Sequence, residues 1–95
     1  MTSSHPVLVR WSAVKRAAAL PTSGQYITLA RFAEDGASPN EGWSIVLEIQ
    51  GDPYEVPCKA NARFLMPDAP EERLHSGVRF EMLEGSRVTA EVEVL

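Results

Sequence analysis

Apolar and polar residues alternate with a period of two along most of this chain, which predicts β-strands with one buried face. The alternation is clearest in residues 43–50 and 87–94. In the first run the apolar positions are Trp43, Ile45, Leu47 and Ile49, and in the second they are Val88, Ala90, Val92 and Val94. We expect these side chains to form part of a core.

The longest alternating run covers residues 54–66, and its apolar positions are Tyr54, Val56, Cys58, Ala60, Ala62, Phe64 and Met66. Pro57 removes a backbone donor from the ladder, so we expect a bend or a bulge at that residue. The segment Gly51-Asp52-Pro53 predicts a turn that joins this run to the strand before it.

The first half of the chain is less regular. Residues 6–12 and 25–32 predict strands. Residues 12–20 are compatible with a helix by propensity, but they could equally continue the first strand and cross the end of a barrel. Residues 34–42 are rich in turn-forming residues and predict an exposed, mobile loop.

The C-terminal third predicts a hairpin. Phe80 and Met82 alternate with polar residues before Glu84-Gly85, and glycine supplies the positive φ that a tight turn requires. Upstream, residues 68–74 predict one short helical turn that ends before Gly77. Six strands without a long helix predict an all-β fold: a single domain over residues 1–95, built as a closed six-stranded antiparallel β-barrel with at most one short helical turn.

The charge is unevenly distributed. The net charge is −4, yet residues 1–33 carry four basic residues and no acidic one. Polyanions prefer basic surfaces, so the overall charge argues against general nucleic-acid binding, while the basic N-terminal third leaves a local RNA contact open. Exposed tryptophan and arginine side chains often anchor protein partners. The residues of a candidate binding face are Arg10, Trp11, Lys15, Arg16, Arg31 and Trp43.

No residue pattern predicts catalysis, a metal site or a cofactor. Zinc requires three or four closely arranged ligands, whereas His5, His75 and the single Cys58 are far apart in sequence. Cys58 shares its parity with apolar residues, which favours a buried side chain over a nucleophile paired with a histidine. The carboxylate pairs lie in loops or on an outer strand face and are expected to be solvated.

The chain also contains no apolar run near the roughly 18 residues that span a bilayer, and its N-terminus lacks a signal-peptide layout. One cysteine cannot form an internal disulfide. These features predict a cytoplasmic protein without membrane contact.

The segment Gly77-Val-Arg-Phe-Glu-Met-Leu-Glu-Gly85-Ser-Arg87 resembles the closing hairpin of the C-terminal barrel domain of the elongation factor Tu family. The matching positions are Gly77, Arg79, Phe80, Glu84, Gly85 and Arg87. Arg63-Phe-Leu-Met-Pro67 resembles the preceding strand of that family, and Gly24 to Phe32 resembles an earlier one more faintly. Leu83, Ser86, Glu91 and Glu93 depart from the family pattern.

The resemblance implies a six-stranded antiparallel barrel. It implies no GTPase, because the chain has no phosphate-binding Gly-x-x-x-x-Gly-Lys-Ser/Thr loop. In that family the barrel helps to hold transfer RNA and contacts the rest of the factor. We therefore expect a stand-alone, non-catalytic protein-interaction module whose partner the sequence does not identify. The alternative is an RNA-associated, translation-related module that uses the basic N-terminal third.

Overall fold

A computed structural model of the protein describes residues 3–20, 24–32 and 43–95. Its six strands close into an antiparallel β-barrel, which confirms the all-β class and the barrel architecture. The strands are β1 (His5–Trp11), β2 (Gln25–Phe32), β3 (Trp43–Gln50), β4 (Cys58–Phe64), β5 (Arg79–Glu84) and β6 (Arg87–Val94). The loop predicted at residues 34–42 lies outside the described residues.

The strand order around the barrel is β1-β4-β3-β2-β5-β6, and β6 pairs with β1 to close it. All six pairings are antiparallel. Two strands separate β1 from β2 in either direction around the ring. The outer faces of β1 and β2 therefore point away from each other, on opposite walls.

The inward-facing side chains form one core, as the alternation in residues 43–50 and 90–94 predicts. The expectation for Val88 is wrong: the register shift pairs it with Leu83, outside the core cluster, and buries Thr89 instead. Ile45 and Leu47 are buried there, together with Val92. Aromatic rings fill both ends of the barrel. The Phe32 ring lies 4.8 Å from Phe80 and 6.0 Å from Phe64 at one end. The second aromatic pair, Trp11 and Tyr26, has ring centroids 5.0 Å apart.

The alternation in residues 54–66 is only partly a strand. Residues 51–57 form turns and bends, and β4 begins after Pro57. The Asp52 side chain accepts a hydrogen bond from the Tyr54 backbone N–H at 2.9 Å, and its carbonyl accepts one from Glu55 at 3.2 Å. These bonds continue the turn beyond Pro53. The expectation that Tyr54, Val56 and Met66 face the core is therefore wrong, because all three are exposed.

Within the described residues, two short helical segments connect the strands. The helix α1 (Ala13–Ala18) follows β1, which settles the choice between helix and strand in favour of a helix. Ser12 caps it, since its Oγ accepts from the Lys15 backbone N–H at 3.1 Å. The 3-10 helix at Glu71–Arg73 matches the short helical turn expected there, so the chain has α1 in addition to it. No helix in the described ranges is long and apolar enough to cross a membrane.

The β5–β6 hairpin confirms the predicted glycine turn with a shift of one residue. Glu84 ends β5, and the turn consists of Gly85 and Ser86. Gly85 has a φ of +63°, in the left-handed region. The register between β5 and β6 shifts between Met82 and Leu83. This irregularity accompanies the burial of Thr89, a polar residue inside the barrel end.

Candidate interaction surface

The six residues of the predicted binding face do not share one face of the barrel. Arg10 lies on β1 and Arg31 on β2, so their outer walls are opposite each other. Trp11 is buried against Tyr26 and is not available as an exposed anchor. Trp43 packs edge-on against Phe64, with ring centroids 6.5 Å apart. Core packing therefore accounts for both tryptophans.

The basic members of that set also have local partners. Lys15 Nζ lies 2.7 Å from Glu84 Oε2, and Arg31 Nε donates to Glu81 at 2.9 Å. Arg16 donates to the Tyr54 carbonyl at 3.2 Å, and its guanidinium lies 5.7 Å from the centre of the tyrosine ring. Arg10 stands directly opposite Glu91 in the β1–β6 register. Lys15 and Arg31 are thus each paired with a carboxylate.

A polar cluster closes the α1 end of the barrel. The Tyr26 hydroxyl donates to Glu84 Oε2 at 2.6 Å and lies 2.7 Å from Thr89 Oγ1. Lys15 binds the same carboxylate oxygen and lies 5.1 Å from the centre of the Tyr26 ring. Burial, reinforced by Glu84, raises the pKa of the Tyr26 phenol. The hydrogen bonds from Lys15 and Tyr26 lower the pKa of Glu84. The cluster therefore ties α1 to the β5–β6 hairpin.

The lowered pKa of Glu84 predicts a pH-dependent contribution to stability. A carboxylate with a depressed folded-state pKa stabilises the fold above its unfolded pKa of about 4.3 and ceases to do so as the pH falls through the folded-state value. We expect wild type to exceed Glu84→Gln in unfolding free energy by a constant amount near neutral pH. The difference should shrink below about pH 4.3. Urea unfolding across this range measures it, and a difference that grows on acidification would contradict the geometry.

Cys58 does not have the surroundings of a nucleophile. It is fully buried at the start of β4, and burial raises the pKa of its thiol, although the Trp11 side chain opposes that rise. Cys58 pairs with Val9, four residues along β1 from His5. That spacing corresponds to roughly 13 Å along a strand. His75 lies in the β4–β5 connection, at the barrel end away from Cys58.

The described residues contain no group of three or more His, Cys, Asp or Glu side chains that could hold a metal ion. A shallow groove crosses the outer wall of β1, β6 and β5. Its polar lining consists of Arg10, Arg79, Glu91 and Glu93. Arg79 and Glu93 lie 3.8 Å apart, so a positive and a negative side chain form an ion pair within this groove.

The outer wall of β2 and β3 carries a set of apolar side chains that we call the wall patch. Its members are Ile27, Leu29, Val46, Leu65 and Leu83. Ile27 pairs with Val46 across β2 and β3, and Leu29 pairs with Leu83 across β2 and β5. Leu65 lies just beyond β4, where its backbone N–H donates to the Ser44 carbonyl at 3.0 Å.

The wall patch is exposed to solvent at its centre. Ile27 and Leu29 are 48% and 41% exposed. Val46 and Leu83 are buried, yet they are not members of the inner core cluster. They lie beside Ile27 and Leu29 on the neighbouring strands. Contiguous apolar surface of this kind, bordered by polar groups, is typical of an interaction site.

Two ion pairs border the wall patch at diagonally opposite corners. Arg63 Nε lies 3.4 Å from Glu48 Oε1 on one side, where β3 and β4 meet. Arg31 and Glu81 form the other pair, where β2 and β5 meet. Each border carries one base and one acid. The patch therefore has an apolar centre and an electrically neutral rim, the usual anatomy of a protein interface.

The strand predicted over residues 25–32 does not by itself identify the wall patch, because a strand assignment leaves open whether the outer face is polar or apolar. A signal was present in that run. Tyr26 and Phe32 have one parity, while Ile27 and Leu29 have the other. A strand with one solvated face should not be apolar on both parities. The same signal recurs at Val46, which is apolar on the outer parity of β3.

The chain matches no family model, no curated protein and no solved structure. The resemblance to the C-terminal barrel of elongation factor Tu therefore rests on the sequence segments named above alone. A barrel fold by itself does not carry a function with it.

Proposed function

We propose that this protein is a non-catalytic protein-interaction module and that the wall patch is its binding surface. The observation that carries the proposal is the exposure of Ile27 and Leu29 beside the buried apolar side chains of Val46 and Leu83. A closed barrel has no free strand edge to which a peptide could be added. Binding through side chains of the outer wall needs no such edge.

The resemblance to elongation factor Tu supports an interaction role without supplying a partner. In that family the barrel contacts the rest of the factor. An RNA-associated role has weaker support, because Lys15 and Arg31 are paired with carboxylates and lie on different parts of the barrel. Phosphate contacts would have to displace those carboxylates. The cytoplasmic location stays a prediction.

Site-specific photo-cross-linking tests the binding surface. A photoreactive phenylalanine derivative is placed at position 29 and, as a matched control, at position 14. Val14 is an exposed apolar residue on α1, away from the wall patch. In lysate of the native cell we expect polypeptide adducts from position 29 at several-fold higher yield than from position 14.

Competition makes the same experiment specific. Excess unlabelled wild-type protein should suppress the adducts formed at position 29, whereas excess Leu29→Glu should not, because a charge there disrupts the apolar centre. Equal yields from the two positions, or equal suppression by both competitors, would refute the assignment of the wall patch.

A further inference from the structure

We infer that the wall patch binds a second copy of this chain, so that two barrels associate side by side about a twofold axis. This inference rests on the proposed function and names the partner. It follows from the order of residues along the strands of the patch. Ile27 is level with Val46, and Leu29 is level with Leu83 one step further along β2.

The ion pairs complete this order. Glu48 is level with Gln25, one step beyond Ile27, and its partner Arg63 is level with Val46 on the far side of β3. The Arg31–Glu81 pair lies one step beyond Leu29. Along β2 the outward side chains are therefore Gln25, Ile27, Leu29 and Arg31, with Glu48 beside Gln25 on β3 and Glu81 beside Arg31 on β5. Both halves carry one large apolar side chain and one neutral pair of charges.

A twofold axis in the contact plane, at right angles to the strands, exchanges these halves. Ile27 then faces Leu29 of the partner subunit, and the reciprocal contact follows by symmetry. Because β3 and β2 are neighbours, the same rotation brings Glu48 beside Arg31 of the partner subunit. Across the contact, the charges then alternate in sign, which favours pairing over repulsion.

The charges at the barrel ends favour the same arrangement. One end carries Asp68, Glu71 and Glu72 in the β4–β5 connection, with Arg73 as the basic residue among them. End-to-end stacking through that end, or a side-by-side dimer with parallel barrels, would bring two acidic ends together. The proposed rotation reverses one barrel and places the acidic end of each beside the α1 end of the other. Because the chain has a net charge of −4, the arrangement that keeps the two acidic ends apart has the least electrostatic repulsion between copies.

The size of the patch predicts a weak dimer. Four neighbouring strands at about 4.8 Å spacing give a width of roughly 15–20 Å, and the distance from border to border is of similar size. The contact area is then about 300–400 Å² per copy, below the roughly 800 Å² of a standard stable interface. We expect monomers at low concentration and reversible association as the concentration rises.

Sedimentation equilibrium of the purified chain tests the inference. The average mass should rise from 10.4 kDa toward twice that value between about 10 µM and about 1 mM. Leu29→Glu and Ile27→Lys should each weaken association at least tenfold. Val14→Glu, which makes the same charge change on α1, should leave it unchanged.

An equimolar mixture of Leu29→Glu and Ile27→Lys gives the sharpest result. In the twofold arrangement the new glutamate of one copy faces the new lysine of the other, while the second contact keeps its native Ile27 and Leu29. The mixture should therefore associate more strongly than either variant alone. Failure of the mixture to associate, or a loss with Val14→Glu equal to that with Leu29→Glu, would overturn the twofold contact.

The wild-type series needs no variant and is decisive by itself. A mass that stays at 10.4 kDa over the whole range would refute self-association. If position 29 still gave competable adducts with another polypeptide in lysate, the proposed interaction role would stand and only the identity of the partner would be wrong. Absence of both results would refute both proposals.

Discussion

Replacement of Phe64 by alanine is expected to lower the free energy of unfolding by about 3–5 kcal/mol. Phe64 is fully buried and is the common neighbour of Phe32 and Trp43 in the aromatic cluster at one barrel end. Truncation to alanine removes the apolar surface of the ring from the core. It also leaves a cavity, which the surrounding strands cannot move in to fill because the barrel is closed. The loss is a large part of the roughly 5–15 kcal/mol that stabilises a domain of this kind.

The next residue in the chain is the matched control. Leu65 is exposed outside the barrel, so Leu65→Ala should change the unfolding free energy by no more than about 0.5 kcal/mol. Urea unfolding of the two variants measures both values. If Leu65→Ala lowered the unfolding free energy more than Phe64→Ala did, the assignment of Phe64 to the inside of the barrel and Leu65 to the outside would be contradicted.

Replacement of Gly85 by valine should destabilise the protein by about 1–3 kcal/mol. The φ of +63° at Gly85 is unfavourable for a β-branched residue. A Cβ built at Gly85 meets nothing within 4 Å, so the cost comes from the backbone conformation and not from a clash. The variant therefore tests the backbone conformation of the turn between β5 and β6.

Asparagine is the matched replacement at Gly85, because it tolerates the left-handed conformation better than valine does. Gly85→Asn should retain most of the stability that Gly85→Val loses, and the surface change Glu93→Gln should lose less than Gly85→Val. Thermal unfolding of the three variants ranks them. Equal melting temperatures for the valine and asparagine variants would contradict the positive φ in the turn.

The strand pattern and the barrel could be predicted because a two-residue period assigns inner and outer faces within each strand. Ile45, Leu47 and Val92 are buried as that period requires. The pattern failed at Tyr54 and Val56, where the period continues although hydrogen bonds to Asp52 hold the chain in a turn. Side-chain bonds of this kind compete with strand pairing and leave the alternation unchanged.

The binding face could not be predicted, since it depends on which strands become neighbours. Arg10 and Arg31 both belong to the basic N-terminal third, yet the strand order places them on opposite walls. The wall patch combines residues from β2, β3 and β5 with Leu65, so its members lie far apart in the chain. Pairing between strands that are distant in sequence brings these residues together. Within β2 alone, the sign of the wall patch is that both faces of the strand carry apolar residues.

Methyl-resolved NMR of the labelled protein tests the central claim, that the wall patch is the interaction surface. The signals of Ile27 and Leu29 are followed in two series: as the protein concentration is raised from about 10 µM to about 1 mM, and as extract of the native cell is added at low protein concentration. The signals of Val14 and Val56 serve as exposed references. We expect the Ile27 and Leu29 signals to shift or broaden while the references stay unchanged, whichever partner binds. Changes confined to Val14 and Val56, or no change at Ile27 and Leu29, would contradict the claim.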